Sequence, residues 1–284
     1  MTGRVVCVGD VMVDVLAQLP GPLHTGSDTP AEVRFAPGGS AANTAAWLAW
    51  LGTPAVFAGR VGDDPFGAEA VAALRRLGVL TRVAIDFERP TGVCLVLVDP
   101  SGERTMVPSA GANAALASAD LTGVLERDDH LHLSGYSLLN DGSRPAALEL
   151  LATAGSVSVD ASSAAPLSTV GASAFLSWLP PGTLLLANAD ELAALGSDPV
   201  ALVERGLTVV IKDGRAGARI ADSTGLRRIA TTPVPVRDST GAGDAFAAGL
   251  LAARHAGRPL DEAVEAGNQA GARALGVLGG RPPG

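Results

Sequence analysis

The sequence predicts an α/β protein: a doubly wound, mostly parallel sheet with helices on both faces, to which a small antiparallel β-lid is added. The first observation is that short apolar segments alternate with longer alanine-rich or amphipathic segments along most of the 284 residues. Such alternation is typical of a parallel sheet that is buried on both faces. The second is that two regions, about 13–37 and 91–108, alternate apolar and polar residues without a helix between their pieces. A single domain over residues 1–284 accommodates both.

Strands are predicted where a short run is apolar and β-branched and ends at glycine or at a polar residue. In chain order these runs are 4–9, 55–62, 130–135, 156–160, 183–188 and 207–214. Helices are predicted where a longer run starts at serine or proline, or ends at glycine. In chain order they are 40–52, 65–78, 143–155, 189–195, 241–256 and 261–275. The strand 207–214 leads into a meander of further short strands.

Single residues set several of these boundaries. Ser40 could cap the helix 40–52. Asp63 and Asp64 are typical of a turn directly before a helix, and the proline that follows them suits the first helical position of 65–78.

The two inserted regions predict the lid. The stretches 13–20 and 31–37 have the pattern of strands, and 91–108 has the pattern of a hairpin that turns at DPSG (99–102). Because a flap beside an open sheet can close over a bound molecule, we expect it to act as a lid.

Composition excludes several functional classes. The net charge is −8 and no block of Lys or Arg occurs, which argues against nucleic acid and anionic membranes as partners. No apolar run reaches the roughly 18 residues that a membrane span needs. Asp10 and Asp14 interrupt the first apolar stretch, so a signal peptide is not expected. Cys7 and Cys94 form no CxxC pair, which favours a reducing compartment without structural zinc, and we expect a cytoplasmic protein.

The stretch DSTGAGDAF (238–246) predicts a helix start that binds an anion. A helix that begins near Gly241 leaves backbone N–H groups unpaired, and its dipole adds positive charge there. Gly241 and Gly243 let a bulky anion approach the backbone, because no Cβ intervenes. Asp244 follows in the first turn, where a carboxylate beside a bound phosphate could accept a proton from an attacking hydroxyl. The alternative is an ordinary capped helix with a favourable first-turn acid.

Polar residues also gather at the ends of the first predicted elements. GDVMVD places Asp10 after the first strand and Asp14 four residues later, and PGGSAAN (37–43) opens a helix. Carboxylates and an amide at strand ends suit the hydroxyl groups of a sugar, each of which needs a partner when buried. The alternative is that these residues form turns and cap a helix.

Two further motifs could contact a nucleotide. In NADE, Asn188 and Glu191 could hold waters around Mg²⁺ or form a capping box. KDGRAG (212–217) contains Lys212, the only lysine beside 20 arginines, and could lie against a nucleotide or turn a hairpin. The sequence has no P-loop motif and no G-x-G-x-x-G after a strand, and none of its four histidines matches a hydrolase or zinc-protease motif.

Together these motifs form an ordered set: GDVMVD, GGSAAN, GRVGDDPFG, NADE, KDGRAG and DSTGAGDAF. Their order and spacing resemble those of the PfkB-type, or ribokinase-like, carbohydrate kinases over nearly the whole chain. The resemblance implies a doubly wound α/β domain with a small β-lid. It also implies transfer of the γ-phosphoryl group of ATP to a sugar or nucleoside hydroxyl, with Mg²⁺.

The resemblance implies a role for each matched residue. Asp244 is implied as the general base, next to the anion-hole amides of Gly241, Ala242 and Gly243. The residues implied to bind the substrate are Asp10, Asp14, Gly38, Gly39 and Asn43. Those assigned to the nucleotide or, through water, to its Mg²⁺ are Asn188, Glu191, Lys212, Gly214, Gly217 and Asn268. Asp238 and Thr240 match positions that bind a monovalent cation in some members, so potassium could activate the protein.

Several departures from the family pattern leave the acceptor open. Asp160 lacks the Asn and Arg that follow it in many sugar kinases, and Ser134 stands where ribokinases often have an acid. Ser40 stands where they usually have lysine. These departures weaken a ribose assignment, and we expect a furanose or a related small sugar. Arg104, on the lid hairpin, could reach a charged group of the substrate or be an ordinary exposed arginine.

Two other functions stay open at this point. A nucleoside kinase of the same family would need an apolar lid surface for a base, which Phe35, Val93 and Leu95 could provide. A sugar- or nucleotide-binding regulator without turnover is disfavoured by the intact Asp244 and GAG motif. Lid strands of this family often pair across a dimer, and TGVCLVLVD (91–99) is apolar on both sides, so we expect a homodimer through the lid.

Overall fold

Two sheets form the framework of the computed structural model, which describes residues 3–101, 104–196 and 198–283. The strands are β1 (Val5–Val8), β2 (Met12–Gln18), β3 (Glu32–Gly38), β4 (Ala55–Gly62), β5 (Leu80–Asp86), β6 (Gly92–Val98), β7 (Arg104–Ser109), β8 (His130–Ser134), β9 (Val157–Asp160), β10 (Leu184–Asn188), β11 (Thr208–Lys212), β12 (Ala218–Asp222) and β13 (Gly225–Ile229).

The helices lie between these strands and after the last of them. They are α1 (Ser40–Trp50), α2 (Pro65–Arg76), α3 (Tyr136–Leu139), α4 (Arg144–Thr153), α5 (Ala164–Val170), α6 (Ala172–Ser177), α7 (Ala189–Ala194), α8 (Pro199–Glu204), α9 (Ala242–His255) and α10 (Leu260–Ala274). Short 3₁₀ turns cover Gly111–Ala115, Ser118–Leu121 and Gly214–Ala216. None of the described helices is long and apolar enough to cross a membrane.

The nine-stranded main sheet has the order β13-β12-β11-β10-β9-β8-β1-β4-β5. Its pairs are parallel except β11–β12 and β12–β13, which are antiparallel. The chain builds outward from β1 in both directions, so the predicted doubly wound, mostly parallel sheet is confirmed. In such sheets ligands bind beyond the carboxyl ends of the strands, where the strand order reverses. The chain segment that follows β1 is therefore the expected place for a site.

Alternate residues of β1 belong to separate hydrophobic cores, one on each face of the sheet. Val5 and Cys7 pack in the core that α1, α2, α9 and α10 cover. Val6 and Val8 pack in the core that α4, α5, α6, α7 and α8 cover. This two-sided burial explains why the strands are continuous apolar runs in the sequence.

The lid is the second sheet, with the order β3-β2-β6-β7. Its outer pairs, β2–β3 and β6–β7, are antiparallel as predicted, whereas the central pair β2–β6 is parallel. β2 follows β1 almost directly, and β3 leads into α1, so the lid grows from the carboxyl edge of the main sheet. Gly102 and Glu103, at the predicted hairpin turn, lie outside the described residues.

Several local predictions can be compared with the structure. Asp64 caps α2 as expected, because its Oδ1 accepts the Gly67 amide at 2.8 Å. The cap residue of α1, however, is Gly39, with a φ of 93°, and not Ser40. β5 and the short helices α3, α5, α6 and α8 were not predicted. β5 lies at the sheet edge and is partly exposed, so it has no continuous apolar run.

Candidate active site

Asp244 lies in the first turn of α9, facing α1. Its carboxylate accepts hydrogen bonds from Asn43 Nδ2 at 2.9 Å and from Ser40 Oγ at 2.8 Å. Burial raises the pKa of Asp244 to about 7, and these two hydrogen bonds oppose the rise. The carboxylates of Asp160 and Asp10 add to it. A carboxylate that titrates near neutral pH can accept and release a proton during a reaction.

The start of α9 has the geometry of an anion site. Gly241 is the cap residue with a φ of 70°, and a Cβ there would lie 2.5 Å from the Gly280 Cα, so only glycine fits. The Gly243 amide lies in the first helical turn, where an α-helix supplies no acceptor. The Ala242 amide instead donates to the Ser239 carbonyl at 3.3 Å, so it is less available than predicted.

Lys212 brings a positive charge to this helix start. It ends β11, and a Cβ built on Gly243 would lie 3.4 Å from its Nζ. The Nζ donates at 2.7 Å to Oδ2 of Asp160, the last residue of β9. Burial alone would lower the pKa of Lys212, but the carboxylates of Asp160 and Glu191 outweigh it and the pKa is raised. The only lysine of the chain is therefore charged and next to the predicted anion hole.

Asn188 and Glu191 form the capping box that was one of the two interpretations of NADE. Asn188 N and Nδ2 each donate to a carboxylate oxygen of Glu191 at 2.8 Å, and Asn188 Oδ1 accepts the Glu191 amide at 2.8 Å. Burial raises the pKa of Glu191, while the Lys212 charge opposes the rise. The cap thus fixes a buried carboxylate beside Lys212, so the structural role and a role toward a metal–nucleotide are compatible.

Asp10 and Asp14 lie where the lid leaves the main sheet. Asp10 Oδ2 accepts the Ser40 amide at 2.7 Å, whereas the buried Oδ1 has no hydrogen-bond partner among the described residues. Burial and the neighbouring Asp10 raise the pKa of Asp14 to about 6, and Arg281 opposes the rise. The cluster therefore offers an unused buried acceptor, which a hydroxyl donor would satisfy.

The glycines of PGGSAAN allow α1 to approach these carboxylates. A Cβ on Gly38 would overlap the Asp14 carboxylate, and one on Gly39 would lie 2.6 Å from the Asp10 carbonyl oxygen. Both positions therefore need glycine, because any Cβ would collide with the residues that pack against the backbone. This close packing also brings Asn43 of α1 within hydrogen-bond distance of Asp244, at 2.9 Å.

Two residues of the site were missed by sequence reasoning. Asn113 exchanges hydrogen bonds with the backbone of Val11, accepting the amide at 3.1 Å and donating to the carbonyl at 2.9 Å. Arg281, near the end of the chain, is 6% exposed, and its Nε lies 3.4 Å from Asn43 Oδ1. Neither lies in a motif, and only the double glycine before Arg281 marks a close backbone approach.

The other residues that were predicted to contact the nucleotide differ in how far they are engaged within the protein. Asn268 Nδ2 donates to the Ile229 carbonyl at 3.3 Å, and a Cβ on Gly217 would overlap that same oxygen. Asn268 therefore ties the end of β13 to α10, and Gly217 lets the start of β12 pass close to that same end. Gly214, with a φ of 55°, has open space where its Cβ would be. KDGRAG thus turns a hairpin, and Gly214 is its accessible position.

Arg104 ties the lid to the segment before α9. Its Nη2 donates to Asp238 Oδ1, and its Nη1 donates to Ser239 Oγ at 2.9 Å. Asp238 also accepts the amides of Thr240 at 2.7 Å and Gly279 at 2.9 Å. Arg104 is therefore paired within the protein and is not an ordinary exposed arginine, and its predicted contact with a charged group of the substrate stays a prediction. Asp238, which was predicted to bind a monovalent cation, thus has the Arg104 guanidinium as its counter-charge.

The profile of the pfkB family carbohydrate kinases matches residues 2–283. The chain belongs to this family. One relative of this pfkB-family protein is the ATP-dependent ribose-1-phosphate kinase of Halopiger xanaduensis. It is 34% identical over 287 residues, which cover 98% of this chain and 94% of the relative. Family and relative together support an ATP-dependent sugar kinase.

Solved structures similar to this pfkB-family kinase include enzymes with two kinds of substrate in their names. The adenosine kinase of Sinorhizobium meliloti superposes with a TM-score of 0.87 at 25% identity, covering 99% of this chain and 96% of that one. The fructokinase of Vibrio cholerae, solved with fructose, ADP and calcium, superposes with a TM-score of 0.81 at 25% identity, covering 98% and 94%. The fold is therefore that of ribokinase-like enzymes. The nucleotide and the metal ion in the fructokinase structure support nucleotide and metal cofactors in general.

Proposed function

We propose that this protein transfers the γ-phosphoryl group of ATP to a hydroxyl group of a small sugar, with Asp244 as the general base. The observation that carries the proposal is the position of that carboxylate. It is partly buried, has a pKa of about 7, and lies in the first turn of the helix whose free amides would hold the phosphoryl group.

In the proposed reaction, a sugar hydroxyl oxygen forms a bond to the γ-phosphorus while the bond from that phosphorus to ADP breaks. The hydroxyl proton passes to Asp244, which is charged above its pKa of about 7. Ser40 and Asn43 donate to its two oxygens and hold them in place. Each carboxylate oxygen keeps a second lone-pair direction for the incoming proton.

Phosphoryl transfer depends more on positioning and charge stabilisation than on covalent chemistry. The amides of Gly241 and Gly243 and the Lys212 ammonium would stabilise the negative charge of the transferring group. Ala242 contributes less to this hole, because its amide already donates to Ser239. Gly214 would lie along the nucleotide, with Gly217 and Asn268 supporting the hairpin that carries it.

Magnesium would reach this site with ATP. Among the described residues, no three His, Cys, Asp or Glu side chains are arranged to hold a metal ion by themselves. This agrees with an ion bound mainly by phosphate oxygens and water, as Mg²⁺ commonly is. The Glu191 carboxylate, fixed by Asn188, would hold such waters, and the ion would neutralise phosphate charge.

The sugar would bind between the lid and α1. Asp10 Oδ1 would accept one hydroxyl group, and Asp14 and Asn43 would contact others. Gly38 and Gly39 keep the backbone close enough to shape this pocket. A small sugar matches the site because each buried polar group needs a partner.

A panel assay tests the proposal. ADP release from ATP is measured with pentoses, hexoses, sugar acids, sugar phosphates and nucleosides, and the phosphorylated product is identified by mass spectrometry. We expect turnover with at least one small sugar or sugar derivative. Binding of a sugar without any turnover would contradict the proposal and favour a regulator.

A nucleoside kinase is the second candidate, favoured by one observation. Phe35 of the lid is 65% exposed and stacks on Phe66 with ring centroids 5.8 Å apart, which leaves an aromatic surface for a base. The similarity to an adenosine kinase agrees with this possibility. In the panel, adenosine as the preferred acceptor would support it, whereas preference for a sugar would exclude it.

We also propose that the protein is a homodimer and that it is located in the cytoplasm. The outer lid strands expose the apolar side chains of Val33, Phe35, Met106 and Val107, so we infer that two copies pair through their lids. Cys7 and Cys94 are free thiols, which suits the reducing cytoplasm.

A further inference from the structure

Arg281 has a charge that the reaction described above does not use. Its side chain is buried, with 6% of the residue exposed. Its Nη2 lies 3.4 Å from the Gly38 carbonyl, its Nε 3.4 Å from Asn43 Oδ1, and its Nη1 has no hydrogen-bond partner among the described residues. The two contacts are longer than the about 2.7–3.2 Å that is typical of N–H···O hydrogen bonds.

A buried guanidinium is normally paired with a carboxylate. The two ion pairs of the site, Arg104–Asp238 and Lys212–Asp160, do not include Arg281. Burial lowers the pKa of Arg281 to about 10, and only the more distant Asp14 acts against that change. The positive charge is therefore incompletely compensated by the protein.

The segment that carries Arg281 is held firmly. The Trp47 indole donates to the Gly280 carbonyl at 3.0 Å, and the Gly279 amide donates to Asp238 at 2.9 Å. A Cβ on Gly280 would overlap the Asn43 side chain, so the backbone passes directly against α1. This anchoring fixes the backbone that carries the guanidinium beside α1.

We propose that Arg281 binds an anionic group of the acceptor sugar, either a carboxylate or a phosphate ester, through its unpaired Nη1. The inference rests on the proposed kinase function and adds the chemical class of the substrate. Asn43 links the two parts of the pocket, because its Nδ2 bonds Asp244 at 2.9 Å and its Oδ1 faces Arg281. One small molecule could therefore present a hydroxyl to the base and an anion to the guanidinium. The competing explanation is that Arg281 only balances Asp14 and that the sugar is neutral.

Matched sugars separate these explanations. Ribose, ribonate, ribose 1-phosphate and ribose 5-phosphate are compared, and fructose with fructose 6-phosphate, so that carboxylate and phosphate ester are distinguished. ADP release gives kcat/KM, and calorimetry without ATP gives binding. We expect at least one anionic sugar to exceed its neutral parent by about 10²-fold in both measurements, as expected for a buried charge-assisted contact.

Variants assign the preference to the residue. Arg281→Gln should remove about 10²-fold in kcat/KM for the anionic sugar and lower it less for the neutral sugar, so that the ratio of the two falls. Arg281→Lys, which keeps the charge, should restore part of the preference. Arg258→Gln, at an exposed arginine, is the control and should behave as the wild type.

Two results would overturn the inference. One is a wild-type protein that binds and phosphorylates neutral sugars as well as every anionic one, and this needs no variant. The other is an equal loss for both classes in Arg281→Gln, since that points to a role toward Asp14. If Arg281→Gln fails to fold by circular dichroism, the wild-type preference and Arg281→Lys decide. Anionic preference in calorimetry without any ADP release would support the binding inference and contradict the kinase proposal alone.

Discussion

Opposing effects set the pKa of Asp244. Burial raises it to about 7, and hydrogen bonds from Asn43 and Ser40 lower it. A group with this balance is mostly ionised just above neutral pH and protonated below it. If Asp244 is the base, the acidic limb of the pH–rate profile should follow its titration, with the rate falling as pH decreases through that range.

Removal of one of these hydrogen bonds should shift that limb in a known direction. Ser40→Ala leaves the backbone amide that binds Asp10 and removes only the hydroxyl that lowers the pKa of Asp244. The pKa should therefore rise, and the acidic limb of kcat/KM should move up by about 0.7 pH units for a hydrogen bond of about 1 kcal/mol. Ser168→Ala, at an exposed helical serine, is the control. An unmoved limb, or a shift to lower pH, would contradict the assignment.

At the scale of elements, the start of α9 depends on the backbone of Gly241. The backbone φ of this residue is 70°, and a Cβ added to it would lie 2.5 Å from Gly280. Gly123 is a matched control, because its φ is 68° but nothing lies within 4 Å of its Cβ position. The two substitutions to alanine thus share the backbone strain of about 1–2 kcal/mol and differ in the overlap.

We expect Gly241→Ala to lower the melting temperature more than Gly123→Ala and to reduce kcat by about 10²-fold through the displaced amides. Thermal unfolding and ADP release measure both effects. Equal melting temperatures with normal turnover in Gly241→Ala would show that the helix start is neither tight nor catalytic.

The contact between the lid and the segment before α9 predicts how the protein responds to monovalent cations. Asp238 is buried and receives its counter-charge from Arg104, so we propose that potassium is dispensable. Replacing potassium by tetramethylammonium, which is too large for such a site, should leave wild-type turnover unchanged. Arg104→Met leaves the carboxylate unpaired, which is unfavourable for a buried charge. That variant should lose activity and recover part of it with potassium.

Arg34→Met, at another arginine of the lid, is the control for this experiment, because Arg34 is half exposed and lies on β3, the edge strand opposite to β7, which carries Arg104. Strong activation of the wild type by potassium would contradict the proposal. So would an Arg104→Met variant that keeps full activity in tetramethylammonium.

At the scale of the whole molecule, the sheet was predictable because strands buried on both faces leave continuous apolar runs, as in β1 (Val5–Val8). The edge strand β5 (Leu80–Asp86) leaves none, because much of it faces solvent. Asp244 was predictable because its motif lies at an element end. The positions of Arg104 and Arg281 were not, since each depends on how distant segments pack: Arg104 lies 134 residues before Asp238, and Arg281 238 residues after Asn43.

The exposed lid predicts the assembly of the whole molecule. Phe35 is 65% exposed and Met106 53% exposed on opposite outer strands, and such apolar surface is usually covered. We expect light scattering after size exclusion to give twice the mass of the chain, and Phe35→Lys to shift it toward the monomer. Gly123→Ala should leave the mass unchanged. A monomeric wild type at micromolar concentration would contradict pairing through the lid.

The most direct test of the account is the turnover of Asp244→Asn with its preferred acceptor, measured beside ATP binding. The amide keeps the size of the carboxylate but cannot take the hydroxyl proton, so kcat should fall at least ~10²-fold while ATP binding is retained. Asp128→Asn, at an exposed aspartate, should match the wild type. Near-normal turnover in Asp244→Asn would contradict the assignment of this residue as the base.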